Sequence, residues 1–197
     1  MTNNALSPKE RLEESALKVF YQTGYSNTRV DQLLKEAGVF RKSFYRYYTS
    51  KRDLGETYIE LQKLHHVAFF DALAKKYPAF EDFWQSWLRF LRKDLCSPGY
   101  RGCPFANLAN QTFASEDNFG PEIKNAIYLW RDVLEKYLAE CTFLKRPIPR
   151  QFVPLFVRQI MIMYEGSLQM YVMTSDKSMI AHLENTIPEY FKATLKS

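Results

Sequence analysis

Residues Thr28–Leu54 read TRVDQLLKEAGVFRKSFYRYYTSKRDL, and this stretch decides the fold. Val30, Leu33, Leu34 and Ala37 recur at the spacing of one helical face. Gly38 ends that run and permits a tight turn. A second short run starts almost at once at Val39. Val39, Phe44 and Tyr48 supply its buried stripe, which leaves Arg41, Lys42 and Ser43 facing outward, with Arg46 and the tyrosines Tyr45 and Tyr47 close by. A helix-turn-helix has these needs: the first helix packs on a core, and the second buries one stripe and presents its N-terminal polar residues to base edges. Thr28 is placed to cap the first helix, with Asp31 three residues on completing a capping box.

The pattern around this stretch is helical as well. Leu12, Ala16, Val19 and Phe20 form a run between Pro8 and Gly24. Ser50 and Asp53 repeat the capping-box spacing at the head of a longer helix that reaches about Tyr77, before Pro78, and connects two parts of the chain. Further helices are expected from Pro78 to about Cys96, Pro104 to about Ala114, Pro121 to about Phe143, Gln151 to Met173, and Lys177 to the end. Turns fall at Ser97–Gly99, near Asp117–Gly120, and between Pro147 and Pro149. Pro188 should kink or divide the last helix. The expectation is an all-α chain of about nine helices, with residues 1–54 as a three-helix N-terminal domain and residues 55–197 as a larger helical one.

Charge is distributed unevenly. Residues 1–54 hold 10 Lys/Arg against 6 Asp/Glu, whereas residues 55–197 hold 17 against 16. Nearly all of the net +5 therefore sits in the first quarter, where a phosphate-binding surface would have to be. The cysteines, Cys96, Cys103 and Cys141, are odd in number and lack a CxxC pair, which argues against a disulfide framework or a zinc site and for a reducing cytoplasm. The first 25 residues hold no apolar signal core, and Arg158, Gln159, Glu165 and Gln169 interrupt the most apolar stretch, so no membrane span is expected. His65 and His66 are adjacent and point to different faces of a helix, so no metal is called for. No Ser/His/Asp arrangement, Gly-rich phosphate loop or carboxylate pair supports an enzyme, and no cofactor is implied.

The Thr28–Leu54 stretch resembles the TetR family of transcriptional regulators, whose pattern is approximately T-x-x-x-I-A-x-x-A-G-V-S-x-G-T-x-Y-x-Y-F-x-S-K-x-x-L. Thr28, Ala37, Gly38, Val39, Tyr45, Tyr47, Ser50, Lys51 and Leu54 match it. The match extends over about residues 9–55; beyond it, only helical layout and length agree. The resemblance implies operator DNA as a partner, a homodimer, and a C-terminal domain that binds a small, mostly apolar effector. It also implies that Thr28, Tyr45, Tyr47 and Lys51 contact phosphates and that Arg41 and Lys42 read base edges, with Ser43 and Arg46 on the same surface. For Tyr45 and Tyr47 the plain alternative is packing on a small core, and for the cations it is a solvated face. Phe40 replaces the usual capping Ser, Lys42 a frequent Gly, and Ser43 a Thr. Phe40 either packs against the first helix, the favoured expectation, or projects toward a thymine methyl.

In the larger part, Trp84, Trp87, Phe105, Tyr128 and Tyr164 are candidate lining for an effector pocket, with Asn107 among the polar groups that could orient a ligand. Phe90, Phe113, Trp130, Met161 and Met170 belong to the same apolar material, which could equally be ordinary core. Gln151–Met173 is apolar around most of its circumference, as a helix buried by its own domain and by a partner subunit would be. Gly102-Cys103-Pro104-Phe105-Ala106-Asn107-Leu108 is similar to a segment of a TetR subgroup in which some members sense electrophiles or oxidants by cysteine. Cys103 is on that basis a candidate ligand residue and a possible point of thiol reactivity; a small buried hydrophobe is the plain alternative. A TetR-fold adaptor that binds a protein instead of DNA is the rival function.

Overall fold

The computed structural model describes residues 6–196. In order along the chain lie α1 (Pro8–Thr23), α2 (Val30–Ala37), α3 (Arg41–Tyr47), α4 (Lys51–Lys76), α5 (Phe80–Leu95), α6 (Pro104–Thr112) and α7 (Gly120–Glu140). A two-residue hairpin, β1 (Thr142–Phe143) and β2 (Arg146–Pro147), and a 3-10 turn at Arg150–Phe152 precede α8 (Val153–Thr174) and α9 (Ser178–Thr194). Nine α-helices are thus present among the described residues, and the fold is all-α as expected. Among the described residues the helices pack as two compact units, one of residues 6–64 with 104–126, the other of residues 65–103 with 127–196. The expected boundary after Leu54 falls inside α4, which runs on without a break.

The first unit is built on the packing of α1 against α2. Ser7 caps α1 through a reciprocal box with Glu10, and Pro8 occupies the first turn, where its missing N–H costs nothing. Leu12, Ala16 and Phe20 of α1 are buried with Leu33, Leu34 and Ala37 of α2, Phe44 of α3 and Leu54 and Tyr58 of α4. Tyr25 lies between Phe20 and Phe119, its ring centre 5.0 Å from each. The Ser50–Asp53 expectation holds in part. Ser50 Oγ accepts from the Asp53 amide at 3.1 Å, but the Asp53 carboxylate accepts from the amide of Thr49 and not from that of Ser50.

The second unit is an aromatic core. Phe80, Phe83, Trp84, Trp87, Leu88 and Leu91 fall at helical spacing on α5, and all are buried. Phe191 of α9 stacks on Phe156 of α8 at 3.8 Å and on Phe80 at 4.7 Å. Pro188 does not divide α9, which runs through it as one helix. Ile180, Leu183, Ile187 and Phe191 bury one continuous stripe, and that packing holds the helix through the proline. The hairpin after α7 was not anticipated. Its two-residue loop puts Leu144 and Lys145 in the left-handed region, a conformation ordinarily signalled by Asn-Gly, and Glu81 accepts the Leu144 amide at 2.7 Å. Among the described residues, no helix is long and apolar enough to cross a membrane, and no group of three His, Cys, Asp or Glu side chains is placed to share a metal ion.

Candidate nucleic-acid interface

α2 is fixed to α1 by a buried bond from Ser15 Oγ to the Leu33 carbonyl (2.9 Å) and by the Lys18–Glu36 ion pair. Gly38 then takes the left-handed conformation (φ 61°, ψ 40°). From it the Gly38 and Val39 amides reach back to the carbonyls of Lys35 and Leu34, which satisfies the end of α2. Arg11 Nη1 donates to the Gly38 carbonyl at 3.2 Å, so α1 also holds the turn. A Cβ at residue 38 would meet only Arg11 Nη1, at 3.6 Å. The glycine is required by backbone conformation and not by space.

The turn sets the aspect of α3. Phe44 is fully buried, and Tyr48, also buried, donates its hydroxyl to Glu13 at 3.0 Å. Burial and the Glu13 carboxylate push the Tyr48 phenol well above its ordinary range. On the other face Phe40, Arg41, Lys42, Tyr45 and Arg46 are exposed, while Ser43 and Tyr47 are half-buried. Arg41 pairs with Asp31, and the Arg46 guanidinium lies 5.7 Å from the Tyr47 ring centre. No acidic residue stands in the first turn of α3. The face therefore offers cationic donors, two phenols and a phenyl ring.

Two expectations are corrected here. Thr28 does not cap α2: it is buried, and its hydroxyl donates to the Gly24 carbonyl at 2.7 Å. The N-cap position is Arg29, whose amide donates to Gln32 Oε1 at 2.7 Å, and Asp31 is engaged with Arg41 instead. Phe40 does not pack against the first helix. Its side chain is 85% exposed, because Val39, Phe44 and Tyr48 already cover the core and Phe40, in extended conformation (φ −82°, ψ 153°), stands off the tip of α3. The loss of the cap is as expected, since no side chain bonds the first turn of α3. Lys51 serves the fold first: Nζ donates to the carbonyls of Tyr25 (3.0 Å) and Thr28 (3.1 Å) and sits 4.2 Å from the Tyr25 ring centre. Burial holds this ammonium below its usual pKa. An ammonium has three donors, so these bonds leave one for a phosphate.

A supporting layer escaped sequence reasoning. Gln111 accepts from the Ser26 amide at 3.2 Å, Asp117 accepts from the Tyr25 hydroxyl at 2.8 Å, and Arg52 donates to the Asn118 carbonyl and to Glu122, both at 3.1 Å. These bonds fix the loop before α2 and the start of α4. They join residues 66 to 92 positions apart, for which sequence spacing carries no signal.

The candidate effector residues divide between the units. Phe105, buried, and Asn107, half-buried, belong to the first. In the second, Trp84 is buried and donates its indole N–H to the Leu183 carbonyl (3.2 Å). Trp87 is ringed by Phe70 at 4.6 Å and by Tyr164 at 4.7 Å. Trp130 packs on Phe70, Tyr164 and His66 within 6 Å, and its Nε1 is buried without a hydrogen-bond partner. Burial pulls His66 down to about 4, so its imidazole is neutral near pH 7. Cys103 is buried and bonded to the Glu165 carboxyl, whose pKa burial raises, while Arg101 is exposed. Tyr128 does not join these rings; it is exposed with the Arg131 guanidinium 4.6 Å from its centre. Phe90, Phe113 and Met170 are likewise on the surface, because each occupies the outward side of its segment.

Comparison with known proteins agrees with this geometry. Residues 13–56 match the sequence profile described as bacterial regulatory proteins, tetR family. The chain is 28% identical over 128 residues to the transcriptional regulator AcuR of Cereibacter sphaeroides, a match that covers 62% of this chain and 57%, little more than half, of that relative. Its fold is similar to that of SCO4454, a TetR-family transcriptional regulator from Streptomyces coelicolor (TM-score 0.75, 20% identity, 96% of this chain and 94% of that one). It is also similar to that of the transcriptional regulator FadR from Bacillus subtilis, solved with stearoyl-CoA (TM-score 0.66, 15% identity, 93% and 97% covered). With the profile lying over α2, the Gly38 turn and α3 themselves, residues 13–56 match the N-terminal DNA-binding region of the TetR family of transcriptional regulators, and the fold of the chain is similar to that of solved TetR-family regulators.

Proposed function

We propose that the protein is a cytoplasmic repressor that binds operator DNA as a homodimer and releases it when a small, mostly apolar effector occupies the second unit. The observation that carries this reading is the α2–Gly38–α3 arrangement: a rigidly supported helix whose exposed tip holds Phe40, Arg41, Lys42 and Tyr45 with no acid in its first turn. Two further observations support the rest. Trp130 Nε1 is a buried donor without an acceptor, a costly state that a ligand carbonyl or ether oxygen would relieve, and the rings packed on Trp130 are the uncharged ones of Phe70, Tyr164 and neutral His66. A relative in fold, FadR, was solved with an acyl-CoA. The effector reading rests on Trp130 and not on Cys103, whose thiol faces Glu165.

Dimerisation is supported by α8. Leu155, Ile162, Gly166, Met170 and Met173 fall on one stripe, exposed in the single chain, with Ile162 62% and Met173 69% accessible. Beside it is a hollow of about 480 Å³ lined by Met163, Gly166, Met170, Met179 and His182. A two-fold pairing through this stripe covers it and supplies two reading heads.

Selection from a random duplex pool tests the proposal. The expected product is an inverted repeat with half-sites about 34–36 Å apart, or a multiple of that distance. Light scattering should give about twice the 23.3 kDa chain mass. Enrichment of no sequence, with binding that vanishes at high salt, would leave only generic charge and would favour the adaptor reading.

A further inference from the structure

We infer that Phe40 reads sequence: its ring contacts the 5-methyl group of a thymine in the major groove. This inference rests on the operator-binding reading above and adds to it the chemistry of one base position. Phe40 is the most exposed large hydrophobic residue among those described, at 85%. Stability does not account for it. The core beneath α3 is closed by Phe44 and Tyr48, so Phe40 covers nothing. It stands at the N-cap of α3, where Ser, Thr, Asp or Asn would accept an amide proton and a phenyl ring cannot. The position thus gives up a cap and exposes an aromatic ring, two costs with no compensation inside the free protein.

The surroundings define the partner. Arg41 and Lys42 follow directly, Arg46 lies one turn on, and all three are exposed. The partner must be anionic around the tip and apolar at one point within it. The major groove has this character, because phosphates flank it and the thymine methyl is the one apolar group on its floor. The N-terminal residues of a second helix in a helix-turn-helix are the ones that approach base edges. Phe40, standing off that tip in extended conformation, is placed to reach a methyl while Arg41 and Lys42 donate to neighbouring bases or phosphates.

Replacing each thymine of the selected site by uracil, one at a time, removes only the methyl and leaves pairing intact. Equilibrium binding of the wild-type dimer should fall about fourfold at one position in each half-site. In Phe40→Ser and Phe40→Ala that sensitivity should disappear, with both variants melting as the wild type or, for the serine, slightly higher. A half-site without thymine, uracil substitution without effect, or sensitivity that persists in both variants overturns the role of Phe40 and leaves operator binding intact. A pool that enriches no sequence overturns both readings together.

Discussion

Replacement of Gly38 by alanine isolates the contribution of the turn on which the reading head depends. The residue sits at φ 61°, ψ 40°, a region that disfavours L-residues by about 1–2 kcal/mol. The added methyl would approach only Arg11 Nη1, at an ordinary 3.6 Å, so no packing penalty accompanies the strain. Alanine also restricts the unfolded chain, which offsets about 0.4–1 kcal/mol. The net loss is then about 1 kcal/mol, or a fall in Tm of about 2–4 °C for a chain of this size. Thermal melts of the full chain followed by circular dichroism should rank wild type above Gly38→Asn, then Gly38→Ala, then Gly38→Val. Asn tolerates the left-handed region, whereas a β-branched residue does not. Alanine and valine variants as stable as wild type would refute the conformational argument.

Gly55 gives the opposite case. Alanine is the better helix former by about 1 kcal/mol, but its Cβ would lie 2.6 Å from Phe119 Cζ and 3.0 Å from Tyr25 Cε2, and overpacking of this kind costs about 1–3 kcal/mol. Gly55→Ala should therefore lower Tm, and Phe119→Leu in the same chain should recover part of the loss; a rise in Tm for the single variant would contradict the packing. His66 is held at about 4 against an ordinary 6.5, so the unfolded chain binds its proton first. Its contribution is complete above pH 6.5 and declines by about 1.4 kcal/mol per pH unit as pH falls toward 4; urea titrations of wild type and His66→Phe at pH 7.5, 6.0 and 5.0 should diverge in that direction. Arg41→Ala should relax preference at one operator position by about 1–3 kcal/mol, whereas Lys51→Ala should weaken all sequences alike and lower Tm as well, since Lys51 ties down the 25–28 loop. An unchanged motif from selection with Arg41→Ala would remove it from base reading.

The all-α architecture and the helix-turn-helix were legible because they are local. Apolar periods of three and four in α1, α2 and α5, a glycine where α2 must end, and prolines at helix starts all act within a turn or two of chain. Phe44 and Tyr48 were placed inside, and Arg41 and Lys42 outside, by spacing alone. What spacing could not show was competition among neighbours. Thr28 and Arg29 are adjacent candidates for one cap; the Gly24 carbonyl takes the Thr28 hydroxyl, and Gln32 serves the Arg29 amide. The chemistry of Phe40 favours packing, yet the small core is filled without it. Pro188 favours a kink or division of α9 by the local rule, but α9 is not divided there, with Ile187 and Phe191 buried on either side of the proline. The Tyr25–Asp117 and Ser26–Gln111 bonds span 85 residues or more and leave no periodic trace.

The central claim is that the tip of α3 reads DNA. Fluorescence anisotropy tests it most directly, with wild type and the Arg41→Ala/Lys42→Ala double variant each titrated onto the selected operator and a scrambled duplex between 50 and 200 mM salt. Wild type should prefer the operator by about 10³-fold or more, with log K falling linearly against log salt. The double variant should lose most of that preference while its melting curve stays in place. An operator preference undiminished in the double variant would contradict the account.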